Sequence, residues 1–293
     1  MKNIKYTKID DWVREIIVDP LAKEQIKISE DGKFIHSTYG RIYPIVNNIY
    51  DFRLLNNTTT DDQKVWKDGQ DEYELFTPKL IEEDNTNYDE EINENRKVYE
   101  QIPIIGSCLD VGGNNGTLRA FLDEKQKYVI CDPYINVFNG IKSRPKLVES
   151  YPFLNDAVNF VSCDAEFLPF KSCSFDNVHM RSCIDHFLNP EQALNEAYRV
   201  LKDEGSLIIG LFVHGGKTGK ETLIEHAKDI IRFVLPYMGV HKYTDHHIWH
   251  PTYDSLVNLI TDNGFEVKKV YWQTDDICYI QSVKRIELKR KGN

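Results

Sequence analysis

The chain has 293 residues, with 36 Lys or Arg against 46 Asp or Glu, a formal net charge of -10 and 41% hydrophobic residues. That length predicts about two domains and a core large enough to need no disulfide or metal staple. The acidic balance disfavours generic binding to phosphate backbones, which needs many counterion-releasing cations, and the longest apolar runs, such as 207–213, are strand-sized, so no bilayer span is expected.

The opening MKNIKYTKIDDW lacks the apolar stretch of a signal peptide, and a cytoplasmic location is expected. Cys108, Cys131, Cys163, Cys173, Cys183 and Cys278 are scattered with no metal-knuckle spacing, and disulfides are not expected in that compartment. Residues 13–55 read as short strands and turns: Ile26 and Ile28 alternate with Lys, Asp31-Gly32 marks a turn, and Phe34-Ile35, 40–45 and 47–50 follow it. Residues 1–55 are therefore set apart as a small β-rich module that must dock on something larger. Residues 56–103 read as an acidic helical connection or cap, with Trp66, Tyr73, Leu75, Phe76, Leu80 and Ile81 as its apolar positions. Between 56 and 100 there are fourteen acidic and five basic residues, so nearly all of the charge imbalance sits there.

From 104 to 293 strands and helices alternate, which predicts an α/β domain with a mostly parallel, doubly wound sheet. Strands are expected near 106–111, 127–131, 159–163, 176–181, 206–213, 265–272 and 277–284, with helices at 117–122, 190–202 and 252–263. Only Thr274-Asp275-Asp276 separates the last two strands, which suits a hairpin and puts one antiparallel strand among the seven.

Leu109-Asp110-Val111-Gly112-Gly113-Asn114-Asn115-Gly116 runs from a strand end through a Gly-rich turn towards a helix. Such a turn lets the backbone approach a ligand, and Asn114 is the non-Gly residue type that best tolerates left-handed geometry. Asp132 follows the second strand, and Asp164-Ala165-Glu166-Phe167-Leu168-Pro169-Phe170 follows the third, leading to Ser174-Phe175-Asp176. Glu196, Arg199, Val200, Leu201, Lys202 and Gly205 complete an E-x-x-R-V-L-K-x-x-G stretch. On these four motifs, residues 104–285 resemble the class I S-adenosylmethionine-dependent methyltransferases of the type 11 group. The resemblance implies a Rossmann-like fold, S-adenosylmethionine as cofactor and S-adenosylhomocysteine as product. It implies that Asp110, Gly112 and Gly116 shape the pocket beside the methionine part, and that Asp132 takes the ribose hydroxyls with Pro133 on the adenine side. It places Asp164 at the adenine amino group, Ala165 near the ring nitrogen, and Arg181 and Ser182 beneath the methionine. Gly113, Asn114 and Glu166 complete the cofactor set. Asn114 departs from the family's middle glycine. Helix N-capping is the plain alternative for Asp132 and Asp164.

Val18-Asp19-Pro20-Leu21-Ala22 and Tyr39-Gly40-Arg41-Ile42-Tyr43-Pro44-Ile45 resemble the small zinc-ribbon-like domain of the Trm112 type, with Asp19, Ala22, His36 and Tyr39 at the four ligand positions. Structural zinc wants four Cys or His ligands, so that fold is expected here without its zinc, covering the site or packing on the domain.

The acceptor side is read from histidines, because an alcohol must lose a proton to a base near neutral pKa. His186 follows the fourth strand, His214 ends the fifth, and His250 closes an insertion at 213–250 that is long enough to be a lid; these three are the candidate catalytic residues. His226, His241, His246 and His247 share that insertion, but the spacing matches no metal motif and no metal is assigned. Trp66, Tyr73, Phe76, Tyr237, Tyr243 and Trp249 are read as core or as an acceptor platform. The expected function is methylation of a small molecule, at oxygen, with a sugar or glycan precursor as acceptor, and with neither nucleic acid nor membrane as partner. An RNA methyltransferase and a non-catalytic cofactor-binding scaffold are the alternatives.

Overall fold

The computed structural model describes residues 6–55, 64, 66–69, 71, 86–219 and 247–286. Tyr73, Leu75, Phe76, Leu80, Ile81, His226, Tyr237, His241, Tyr243 and His246 lie outside the described residues, as does most of the 213–250 insertion. Among the described residues no helix is long and apolar enough to cross a membrane.

The strands are β1 (Thr7–Lys8), β2 (Ile26–Ile28), β3 (Phe34–Ser37), β4 (Ile42–Val46), β5 (Ile49–Asp51), β6 (Cys108–Val111), β7 (Tyr128–Cys131), β8 (Val158–Ser162), β9 (Phe175–Arg181), β10 (Leu201–Phe212), β11 (Phe265–Trp272) and β12 (Ile277–Lys284). All join one sheet, in the order β11-β12-β10-β9-β6-β7-β8-β5-β4-β3-β2, with β1 beside β8. The seven strands expected after residue 104 are present, and β12 runs antiparallel between β10 and β11. The fold is Rossmann-like with a mixed sheet, but the sheet is larger than seven strands.

The extra strands have a physical cause. Without them β8 would be an edge with a row of unpaired backbone groups. Instead β1 pairs with its first half (Thr7↔Val158) and β5 with its second (Tyr50↔Val161), both parallel. The β4–β5 hairpin turns at Asn47 and Asn48, both at positive φ (52° and 66°), the combination a two-residue turn of matching twist requires. The N-terminal strands thus continue the main sheet. Val13, Ile17, Ile35, Tyr43 and Phe52 of this N-terminal part share one core with Leu109, Val178 and Ile209. Residues 6–55 thus meet the larger domain by extending its sheet, and a zinc-ribbon-like module is not shown. Asp19 is fully buried and accepts the Leu21 and Ala22 amides (2.8 and 2.7 Å) and the Tyr43 hydroxyl (2.9 Å), whereas His36 and Tyr39 are exposed. Burial pushes the Asp19 carboxyl up, but these donors and Arg41 outweigh it and hold it below its ordinary value.

Among the described residues the helices with defined bounds are α1 (Asp11–Ile16), α2 (Tyr88–Gln101), α3 (Pro145–Ser150), α4 (Pro190–Val200) and α5 (Tyr253–Asp262). The helix expected at 117–122 is only a 3-10 turn, Thr117–Phe121; Gly116 opens it in left-handed geometry and supplies no side-chain cap, and Leu122 returns to extended backbone. In α5 the cap is reciprocal: Thr252 Oγ1 accepts the Ser255 amide at 3.2 Å, and Ser255 Oγ accepts the Thr252 amide at 2.9 Å. Thr252→Ala is expected to destabilise the fold by about 1 kcal/mol and Thr252→Ser by less. Urea denaturation reads both; equal losses would mean that the hydroxyl is not what holds the helix start.

Candidate functional site

In this sheet the chain runs outward from β6 to β7 and β8, then returns to β9 on the other side of β6. An open α/β sheet leaves a crevice at such a reversal, outside the carboxyl ends of its strands. A cavity of about 260 Å³ lies there. Its walls come from the loops after four strands: Gly112 and Asn114 after β6, Asp132, Pro133 and Tyr134 after β7, residues 164–166 after β8, and Ser182, Cys183, His186 and Phe187 after β9. Trp66, buried, adds a further wall. A larger open depression of about 1210 Å³ between α2 and the 119–127 loop holds none of the expected residues.

Eight of the twelve residues expected around a cofactor line this cavity: Gly112, Asn114, Asp132, Pro133, Asp164, Ala165, Glu166 and Ser182. Asp110, Gly113, Gly116 and Arg181 are not among its lining residues. The Asp110 carboxylate is buried under the loop, where it accepts the Tyr128 hydroxyl and lies 2.7 Å from His179 Nδ1. The far ring nitrogen of His179 is 3.1 Å from the Tyr99 hydroxyl. A Cβ at Gly113 would come within 2.5 Å of Asp110 Oδ2, so the loop can rest on that carboxylate only as glycine. Asn114 has φ 50°, the left-handed geometry expected of it, and its side chain accepts the Asn115 amide at 2.7 Å.

Three buried carboxylates face the cavity. Asp132 accepts the Asn114 amide at 3.0 Å and the Tyr134 amide at 2.8 Å; burial still pushes it up to about 6. Burial also raises Asp164 and takes Glu166 to about 7. Asp164 starts the 3-10 turn Ala165–Phe167 without capping it, so the capping alternative fails for this residue. Its Oδ2 instead accepts the amides of Leu54 and Leu55, at 2.7 and 3.1 Å. Its Oδ1, in the same wall, is buried with no hydrogen-bond partner among the described residues. Arg53, paired with Asp51, donates to the Pro133 carbonyl at 3.2 Å. Residues 53–55 meet this wall largely through backbone groups, and for them the sequence carries no signal.

Histidines gather at the cavity's edge. His186 ends the 3-10 turn Ile184–His186, and its ring centre is 4.3 Å from that of His247. The His247 ring lies 5.7 Å from His250, and His250 lies 5.1 Å from His214 in an edge contact. His214 is buried, and it is tied to the return of the insertion by its amide bond to the Pro251 carbonyl (2.8 Å). All three candidate catalytic histidines are thus brought together, and His247 joins them.

Comparison with known proteins bears on this geometry. Residues 109–209 match a family model described as a methyltransferase domain. The ubiquinone/menaquinone biosynthesis C-methyltransferase UbiE of Vibrio cholerae is 29% identical over 182 residues, 58% of this chain and 67% of that protein. The same enzyme of Teredinibacter turnerae is 30% identical over 183 residues, 58% of this chain and 70% of that one. Among solved structures, phosphoethanolamine N-methyltransferase 2 of Haemonchus contortus with S-adenosyl-L-methionine shares 15% identity at a TM-score of 0.45, over 66% of this chain and 53% of that one.

Proposed function

The chain belongs to the S-adenosylmethionine-dependent methyltransferases, and from that premise we propose that it methylates an oxygen of a small hydroxyl-bearing molecule, a sugar or glycan precursor. S-adenosylmethionine, its methyl donor, supplies a methyl group on positively charged sulfur. The cavity's donor set fits that group: the orphaned Oδ1 of Asp164 is a buried acceptor of the kind an adenine amino group satisfies. On this reading Asp132, with lone pairs left beyond its two amide bonds, accepts the ribose hydroxyls. Pro133 and Ala165 flank the adenine, and Gly112, Asn114 and Ser182 leave room for the methionine part. Residues 1–55 cover the adenine side through Leu54, Leu55 and Arg53.

The observation that carries the acceptor reading is the chain of imidazoles from His186 through His247 and His250 to His214 beside the cavity. A hydroxyl becomes a useful nucleophile when a positioned base removes its proton. His250 is that base in this proposal, with His214 packed edge-on behind it and His186 at the wall where the acceptor enters. The second reading, methylation at carbon, is favoured by the names of the relatives from Vibrio cholerae and Teredinibacter turnerae. It also needs a base if the carbon is activated through a neighbouring hydroxyl.

The test is to supply S-adenosylmethionine with a panel of nucleotide sugars, glycosides and hydroxyquinols, to read S-adenosylhomocysteine release, and to locate the new methyl by carbon NMR. An O-methyl product on a sugar is expected; a C-methyl product on a quinol replaces the first reading with the second. Turnover left intact in His186→Ala, His214→Ala and His250→Ala alike removes these residues from the proton's path.

A further inference from the structure

Asp185 and His186 sit at the end of the 3-10 turn after β9, and His247 opens the described return from the 213–250 insertion. Two backbone bonds fix this return on the turn: the Ile248 and Trp249 amides donate to the Asp185 carbonyl at 2.9 and 3.2 Å. One donor atom from each of Asp185, His186 and His247 lies within 4.8 Å of the other two. His247 Nε2 is 3.3 Å from Asp185 Oδ2, close to the spacing of two ligands on a tetrahedral ion with bonds of about 2.0 Å. Asp185 is only 8% exposed, and its Oδ1 is buried with no hydrogen-bond partner among the described residues. A carboxylate buried with an unpaired oxygen is unfavourable unless a cation compensates it.

We infer that Asp185, His186 and His247 form a binding site for a divalent transition metal. Two imidazole nitrogens and one carboxylate oxygen suit Zn²⁺, Fe²⁺ or Co²⁺, whereas Mg²⁺ and Ca²⁺ prefer all-oxygen sets. Three protein ligands leave a coordination position open, as catalytic zinc sites do. His186 also lines the cavity, so the ion borders the space an acceptor enters and can hold the acceptor's oxygen; this last step rests on the acceptor reading above. Half-exposed His186 and His247 have room for the small rotations that bring all three donors to bonding distance.

The test separates the ion from the reaction. Metal-stripped protein is titrated with Zn²⁺ by calorimetry and with Co²⁺ by visible absorption, with neither cofactor nor acceptor present. One Zn²⁺ per chain and a tetrahedral Co²⁺ spectrum are expected. His186→Ala and His247→Ala should each weaken Zn²⁺ by at least about 100-fold, the upper end of what loss of a ligand's outer partner costs. His36→Ala, an exposed histidine on β3, should leave binding unchanged. No stoichiometric uptake, or uptake that both substitutions leave intact, overturns the site and leaves His247 and Asp185 as a simple side-chain contact. Either substitution alone decides if the other does not fold. A bound ion without turnover of any panel acceptor would leave the site standing and count against the acceptor reading alone.

Discussion

Asp132→Ala is expected to weaken S-adenosylhomocysteine binding by about 1.5–3 kcal/mol, a factor of roughly 10–150, the range for hydrogen bonds to a charged group. Asp132 follows β7 in the cavity wall, 7% exposed, with each carboxylate oxygen already accepting one loop amide. Its orientation is therefore set before any ligand arrives, and a ribose meets it without reordering. Burial has pushed its pKa from 3.8 to about 6, and this gives the same residue a pH signature. Because the folded value lies above the unfolded one, ionising Asp132 destabilises the ligand-free fold: the penalty is absent below about pH 4, grows as the pH rises, and is complete above about pH 6. Hydroxyls that donate to the carboxylate favour its charged form and pull the pKa back down. The Asp132 share of the affinity should therefore be fully present above pH 6 and fall as the pH drops through it. In Asp132→Ala that portion of the slope should vanish, while the portion due to Glu166, which titrates near 7, should persist until Glu166→Gln removes it. Calorimetry at pH 5 and pH 7.5 on the three proteins reads all of this. Unchanged affinity in folded Asp132→Ala would sink the ribose assignment.

The sequence made the turn after β6 and the loop after β8 legible because their signals are local. The left-handed geometry expected at Asn114 is found at φ 50°, and the residues of the Asp164-Ala165-Glu166 turn all reach the cavity. Strand alternation after residue 104 placed every strand of that half and the hairpin that makes β12 antiparallel. What the sequence concealed is what depends on partners distant along the chain. Nothing in Tyr50-Asp51 says that these residues add to β8, since a short strand has no preferred neighbour until an open edge is offered. Leu54 and Leu55 meet Asp164 through backbone amides, and every non-Pro residue has one. Asp110 reads as a ligand residue because it stands beside the glycines, yet its carboxylate is consumed by Tyr128 and His179 underneath. Asp185-His186 and His247 are separated by a whole strand and an insertion, so spacing rules built for contiguous metal motifs pass over them.

Gly112→Ala should destabilise the protein by about 2–5 kcal/mol through two separable causes. Gly112 has φ +68°, and an L-residue in left-handed geometry costs about 1–2 kcal/mol. Its Cβ would also stand 2.7 Å from Cys183 Cβ and 3.0 Å from the sulfur, an overpacking that typically costs about 1–3 kcal/mol. Cys183 has little room to give way, being buried with its thiol donating to the Val111 carbonyl at 3.3 Å. Gly40 isolates the first cause: its φ is +80° and a Cβ there meets nothing within 4 Å, so Gly40→Ala should lose only the smaller amount. Cys183→Gly isolates the second, because in the Gly112→Ala/Cys183→Gly pair the clash is gone and the coupling measured by a double-mutant cycle should be about 1–3 kcal/mol in favour of the pair. Urea denaturation of these four variants and the parent supplies every term. Gly112→Ala at parental stability would mean that the loop after β6 moves away from β9 at little cost, and a cavity wall that yields so easily could not hold Asp132 and Asp164 in register for a ligand.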